Sequence, residues 1–270
     1  MTDIQSRLLL LLDFFHNFCK ENSLKYYAIG GTALGAMRHT GFIPWDDDLD
    51  VAMPRADYEK LRQLRKQKDT GEFVFEFPGE NKDFVYTFAK MYDTSTTLIE
   101  NTRYKTKRGV FIDIFPLDGV GNTYEEAVDR FRSFIWKDNL IATAVCAWRK
   151  GRKLYKNIAV MAAHCIPKSI LSSEELIKKF EVESQELPFD ECAYIAPYGS
   201  AGYHEKVIAR KAWYGQPIEY RFENQMVCMP EMPDEYLTGL FGDWRKLPPK
   251  EEQVSHHDFI FYDLDHSYKD

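Results

Sequence analysis

The segment Asp46-Asp47-Asp48-Leu49-Asp50-Val51-Ala52-Met53 runs a carboxylate cluster straight into an apolar strand. No other feature limits the fold so strongly, because a strand whose apolar side chains enter a core carries its acids in with them. In an extended segment, residues two apart share a face at roughly 3.3 Å of rise per residue, so Asp48 and Asp50 point the same way with backbones about 7 Å apart. Leu49 and Val51 then take the opposite, buried face. Like charges at about that distance repel by roughly 2 kcal/mol at an effective dielectric near 20. A divalent cation turns that repulsion into attraction, and hard carboxylate oxygens favour magnesium or manganese.

Other readings of the acids fit less well. A calcium loop starting at Asp46 needs glycine at its sixth position and glutamate at its twelfth, where this chain has Val51 and Asp57. A sugar-nucleotide glycosyltransferase also places an Asp-x-Asp pair on magnesium, but only one helix and one strand fit before Asp46. Capping or turn chemistry accounts for Asp57 and for Asp46, and leaves Asp48 and Asp50 unexplained.

Upstream, Lys25 to Ile29 reads as a short strand, and Gly30-Gly31-Thr32 follows it just before the helical run from Ala33 to Arg38. A strand-to-helix junction of this kind exposes unpaired backbone N–H groups at the positive end of the helix dipole, where a phosphate fits and glycine allows close approach. The segment is neither a P-loop nor a dinucleotide fingerprint, since Gly-Lys-Ser/Thr and Gly-x-Gly-x-x-Gly are both absent. Arg38, about a turn into the helix, and Lys90 are candidate phosphate clamps, with a surface salt bridge as the competing role for each.

A third acid stands out in Gly109-Val110-Phe111-Ile112-Asp113-Ile114-Phe115, a short apolar strand with a carboxylate at its centre. Buried and unpaired, it would be costly, so Asp113 needs a partner. A metal shared with Asp48 and Asp50 is one solution, and a buried arginine or lysine is the other. Asp118, in Pro116-Leu117-Asp118-Gly119, reads as turn chemistry.

The run from Gly30 to Tyr58, with Ala-Met-Arg-His-Thr-Gly-Phe-Ile-Pro-Trp-Asp-Asp-Asp-Leu-Asp-Val at its centre, closely resembles the LicD family. The resemblance resumes at Phe111 to Gly119, at Met229-Pro230 through Tyr236-Leu237, at Gly242 to Pro249, and at His256-His257. It implies a nucleotidyltransferase-type core that moves phosphocholine, or a similar substituted phosphate, from a CDP-activated donor to a hydroxyl of a surface glycan, releasing CMP. The implied metal ligands are Asp48 and Asp50, with Asp113 as third carboxylate and candidate base, and the implied phosphate turn is Gly30, Gly31 and Thr32. In the C-terminal motif Trp244 and Arg245 set an aromatic beside a cation, suited to stacking on a base and contacting phosphate, with a packing anchor as the alternative for Trp244. Of the adjacent His256 and His257, which would point apart in a strand, His256 is taken as the one that reaches the site.

With 270 residues and 44 % hydrophobic content, the chain can bury a substantial core. A net charge of -7 argues against broad capture of nucleic acid, although Arg149, Lys150, Arg152, Lys153 and Lys156 form a local basic run. That run suits anionic lipid or glycan, or is simply a solvated loop around Gly151. Five scattered cysteines without Cys-x-x-Cys point to buried thiols in a reducing compartment. No signal peptide or membrane span is evident, so the expected location is cytoplasmic, free or at the inner face of the membrane. Hydrophobic periodicity predicts helices at 3–21 and 54–68, strands near 73–77, 84–92 and 110–115, and long helices between 124 and 187.

The expected architecture is α+β: a nucleotidyltransferase-like mixed sheet flanked by helices, forming a single catalytic domain over 1–270. Within it the core spans about 1–120, a helical insertion about 121–190, and a C-terminal segment from about 191 folds back to complete the site. Expected partners are the CDP donor and a glycan acceptor, lipid-linked or not, with magnesium as cofactor. Nucleotidyl transfer from a nucleoside triphosphate is the second reading, and a non-catalytic metal- or glycan-binding relative the third.

Overall fold

The computed structural model describes residues 1–150, 152–166, 172–199, 201–254 and 259–270. Its first half contains α1 (Asp3–Glu21), β1 (Tyr27–Ala28), α2 (Gly30–His39), β2 (Asp50–Pro54), α3 (Arg55–Leu64), β3 (Phe73–Glu76), β4 (Ala89–Asp93), β5 (Thr97–Glu100), β6 (Lys107–Arg108) and β7 (Phe111–Gly121). Then come α4 (Tyr124–Val145), α5 (Leu154–Cys165), α6 (Ser173–Ser184), β8 (Tyr194–Pro197), β9 (Ala209–Arg210), α7 (Lys211–Tyr214), β10 (Ile218–Phe222), β11 (Gln225–Met229), α8 (Pro233–Phe241) and β12 (Phe259–Asp263).

The main sheet runs β1-β2-β7-β4-β3, with β8 on β7 and β9 on β8. Its β2–β7 pair is parallel, and the other neighbours are antiparallel. A hairpin of β10 and β11 and a three-stranded β12-β5-β6 sheet flank it. The chain therefore adopts the α+β class, with a central mixed sheet flanked by helices.

Helix α1 begins at a capping box in which Thr2 and Gln5 satisfy each other's backbone N–H groups. Leu8, Leu11, Leu12, Phe15 and Cys19 repeat at helical spacing and are buried, which seats this helix on the sheet. Buried Gln5 also donates from Nε2 to the Asp46 carbonyl at 2.7 Å, so the first helix holds the acidic loop in place. Behind the sheet, Phe134 of α4 stacks on Tyr198 at 4.2 Å between centroids and meets Phe180 of α6 at 5.2 Å.

Three local expectations are corrected. Helix α3 stops at Leu64 and not Lys68, since Lys66, Gln67 and Lys68 offer no apolar group to bury. The strand expected over 84–92 is confined to Ala89–Asp93, and Phe84, Tyr86 and Phe88 instead line up as contacting aromatics outside the sheet. Most consequentially, Pro116-Leu117-Asp118-Gly119 is no turn, because β7 continues through it to Gly121.

Proline is tolerated there because β7 changes partner on one edge: β4 pairs with it from Phe111 to Ile114, and β8 from Leu117 onward. The Asp113 N–H faces β2, where it donates to the Leu49 carbonyl, so by strand alternation position 116 faces the gap between β4 and β8. Asp118 accordingly lies buried at 1 % exposure, gripped by Arg55 from α3 through Nε at 2.7 Å and Nη2 at 2.5 Å. Burial raises the Asp118 pKa, and the guanidinium opposes that rise.

Removing one partner of this pair should be far worse than removing both. Asp118→Ala is expected to cost roughly 3–5 kcal/mol by stranding a buried guanidinium, whereas Arg55→Met with Asp118→Leu should recover most of that loss. Urea denaturation of the parent chain and the two variants measures the difference, and a double variant no more stable than Asp118→Ala would contradict the pairing.

Candidate active site

The glycine pair opens α2 directly. Ile29 is the N-cap, with no side-chain cap bond, and its N–H donates to the Asp50 carbonyl across the β1–β2 edge. Gly30 then takes φ 54°, a left-handed conformation that glycine adopts without strain, and turns the chain into the helix. Its N–H is not left for a ligand, because it donates to the Tyr236 hydroxyl of α8 at 3.0 Å. Thr32 is engaged likewise, its Oγ1 accepting from the Asp50 N–H at 2.8 Å. At Gly31 an added Cβ would lie 2.5 Å from Asp46 Oδ2, so a side chain there would displace the Asp46 carboxylate.

Sheet register assembles the charged centre. Asp50 on β2 pairs with Asp113 on β7, Asp113 with Lys90 on β4, and Lys90 with Glu76 on β3. Cross-strand partners share a face and neighbouring strands lie about 4.8 Å apart, so these side chains form one row across four strands. Lys90 Nζ lies 2.8 Å from Asp113 Oδ1 and 3.7 Å from Glu100 Oε1, and the side chain is almost wholly buried. The Phe111 ring centroid is 3.3 Å from Nζ and that of Tyr86 4.2 Å, so aromatic faces share the stabilisation of the buried ammonium. Glu76 at the end of the row is held by Arg108 through Nε at 2.8 Å and Nη2 at 3.0 Å.

The cation needed by Asp113 is therefore Lys90, which is buried in the site and is no surface residue. One lysine does not balance the local negative charge. Burial, then the neighbouring Asp48, Asp113 and Asp46, drive the Asp50 pKa well above the usual carboxylate range, while Lys90 opposes them. Asp113 is pushed up to about 6, again chiefly by burial, with Lys90 restraining the rise and Glu100 and Asp48 adding to it. Asp48 precedes β2 and belongs to the loop that delivers the chain to the strand.

Among the described residues, no three His, Cys, Asp or Glu side chains converge closely enough to cage a metal as they stand. The donors nevertheless suit a hard divalent ion: oxygen ligands only, mutually repelling, with an excess of negative charge beyond what Lys90 neutralises.

A cleft of about 890 Å³ has Gly31, Arg38, Trp45, Asp46, Trp244 and Lys246 in its wall, and reaches the acidic segment at Asp46. Arg38 donates from Nη1 to the Trp244 carbonyl at 3.0 Å, tying α2 to the C-terminal segment. Trp244 is buried with its indole N–H donating to Asp234 at 3.1 Å, which makes it an anchor of the cleft wall. Arg245, largely exposed, stacks on Trp244 at 4.2 Å and pairs with Asp234 at 2.5 Å. His256 lies outside the described residues. Tyr236, Gln5 and Glu100 are the participants that sequence reasoning left unassigned; only Tyr236 carried a signal, its place inside a recognised motif.

The family model of LicD/FKTN/FKRP, nucleotidyltransferase domain, matches residues 23–143, a span that contains the glycine turn, the acidic strand, Lys90 and Asp113. Over 252 residues the chain is 29 % identical to the lipopolysaccharide cholinephosphotransferase LicD of Haemophilus influenzae, covering 92 % of each protein. It is also 32 % identical over 127 residues to an uncharacterised protein of Rickettsia typhi, covering 40 % of this chain and 41 % of that one. An uncharacterised protein of Rickettsia prowazekii is 30 % identical over 129 residues.

Two outcomes follow from this geometry. Between its ordinary 3.8 and about 6, Asp113 is protonated in the folded chain and ionised in the unfolded one. The unfolded state then binds fewer protons, so in metal-free buffer stability falls as pH rises through that window, and Asp50 acts in the same direction. Urea midpoints across the window should decline, and Asp113→Asn should flatten the slope; an unchanged slope would refute the elevated pKa. Separately, Tyr236→Phe leaves the buried Gly30 N–H without its acceptor and should cost roughly 1–3 kcal/mol in thermal or urea unfolding.

Proposed function

The chain matches the LicD family and is a transferase of that general, nucleotidyltransferase-type class, and from that premise we propose that it transfers phosphocholine, or a similar substituted phosphate, from a CDP-activated donor to a hydroxyl of a cell-surface glycan or its precursor. The observation that carries the reading is the register pairing of Asp50 with Asp113, with Asp48 close enough to act on the Asp50 carboxylate. Similarity to a cholinephosphotransferase over nearly the whole chain supports the substrate class. Residues 1–270 act in this reading as one catalytic domain in the cytoplasm, with the acceptor glycan free or lipid-linked.

Asp48 and Asp50, with Asp113 as third carboxylate, hold magnesium or manganese. Bound there, the ion would supply charge neutralisation at the donor's phosphate oxygens. The N–H of Gly31 and the guanidinium of Arg38 bound the side of the cleft where the donor's phosphates lie. Asp113 accepts the proton of the acceptor hydroxyl as its oxygen bonds to the transferred phosphorus and the bond to CMP breaks. Lys90, 2.8 Å from its Oδ1, keeps it oriented and favours its ionised form. Lys90 is thus a positioning residue for Asp113 rather than a clamp on the phosphate. Trp244, with Arg245 stacked on it, shapes the nucleotide end of the cleft in this reading.

The test is incubation of the purified protein with magnesium, a candidate glycan, and CDP-choline, CDP-ethanolamine, CDP-glycerol or CTP, identifying the released nucleotide. CMP from a CDP donor is expected, whereas pyrophosphate from CTP would replace this reading with nucleotidyl transfer. Asp48→Ala and Asp50→Ala should each lower the rate by at least ~100-fold, in line with the loss of a transition-state charge stabiliser. Unchanged magnesium affinity in both variants would overturn the metal assignment.

A further inference from the structure

Helix α5 is apolar nearly all round, yet only a narrow stripe of it, Asn157, Val160 and Ala163, is buried against the protein. A helix of that composition needs cover on its other side. Opposite the buried stripe, Leu154, Tyr155, Ile158 and Met161 stand 55 % to 66 % exposed. Trp148, in the loop before α5, is half exposed as well.

Charge identifies what lies against this face. Between Asp138 and Glu174 the sequence contains no carboxylate, although the chain carries 42 Asp and Glu and a net charge of -7. Within the same interval Arg149, Lys150, Arg152, Lys153 and Lys156 cluster at the N-terminal end of α5. This loop is fixed to the helix: buried Asn157 donates from Nδ2 to the Arg149 carbonyl at 2.9 Å and accepts from the Arg149 N–H at 3.3 Å. Arg152 Nη1 donates to the Ala147 carbonyl at 3.0 Å, which fixes the loop further. An apolar helical face flanked by cations and interfacial aromatics matches a surface that lies in the headgroup region of an anionic bilayer. No described helix is long and apolar enough to cross a membrane, so this contact lies on the surface.

We propose that α5 and the residues before it form the surface by which this protein docks on an anionic lipid bilayer, with Leu154, Tyr155, Ile158 and Met161 entering the interface and Arg149, Lys150, Arg152 and Lys153 meeting lipid phosphates. The position has a consequence for the site. Arg149 and Arg152 also line a cavity of about 350 Å³ whose lining includes Tyr86 and Glu100, which contact Lys90 beside Asp113. Docking thus brings a cavity that adjoins the catalytic row to the bilayer surface, where a lipid-linked acceptor is presented. Bilayer binding itself requires neither donor nor transfer, so it stands or falls independently of the proposed reaction.

The test is flotation of the full chain with vesicles of phosphatidylcholine alone and vesicles enriched in phosphatidylglycerol, at low and high salt. Binding is expected to anionic vesicles only and to fade with salt. Lys153→Gln should weaken partitioning by roughly fivefold, the equivalent of about 1 kcal/mol per cation at an anionic surface. Ile158→Asp with Met161→Asp should abolish it while leaving thermal unfolding and turnover of a water-soluble acceptor unchanged, as both positions are exposed. No binding to anionic vesicles overturns the proposal, as does binding that ignores both salt and the aspartate variants. A dimer in gel filtration that the aspartate variants dissociate overturns it too, by assigning the face to a second copy of the chain.

Discussion

The parallel pairing of β2 with β7 is the contact on which the site depends. It sets Asp50 beside Asp113 on one face of the sheet, a juxtaposition that both burial and like charge oppose. The structure tolerates it through Lys90 on the next strand, enclosed by aromatic rings and held within 2.8 Å of Asp113. A one-residue slip of β2 against β7 would send Asp50 to the opposite face and bring Leu49 or Val51 into the row. The surrounding packing resists such a slip at several points: Thr32 holds the Asp50 N–H, Leu49 accepts from Asp113, and Gln5 holds the carbonyl of Asp46.

Separated parts of the chain are recruited to this end. Helix α1 steadies the acidic loop, α8 supplies the hydroxyl that occupies the Gly30 N–H, and the C-terminal segment closes the cleft through Arg38 and Trp244. Farther along β7, Asp118 and Arg55 repeat on a smaller scale the arrangement at Asp113 and Lys90: a buried acid in a strand matched by one buried cation from a neighbouring element. At Asp118 a single bidentate partner suffices, whereas around Asp50 and Asp113 the negative charge exceeds the positive. Unbalanced charge of that kind suits a site that receives a cation and a phosphorylated donor.

Much of this was legible in the residues. Apolar spacing located α1 to the residue, the glycine pair marked a strand-to-helix junction, and a lone acid inside the apolar Gly109–Phe115 run announced that a partner had to exist. What misled was local chemistry taken without its surroundings. Pro116-Leu117-Asp118-Gly119 has the composition of a turn, yet its proline lands in the one gap where β7 changes partner, and its aspartate finds Arg55 from 63 residues away. Gly30 and Thr32 looked available to a ligand, because nothing adjacent in sequence shows that Tyr236 and Asp50 already occupy them.

The sequence by itself determined α1, the acidic strand, the candidate carboxylates and the family resemblance, since hydrophobic period, glycine placement and motif spacing are local properties. Only the tertiary structure decided that Lys90 is the cation of Asp113, that Trp244 is an anchor, and that α5 turns an apolar face outward. Those outcomes depend on strand register and on which face of each element finds a neighbour. Register and facing are set by packing between segments far apart in the chain, and no single segment encodes them.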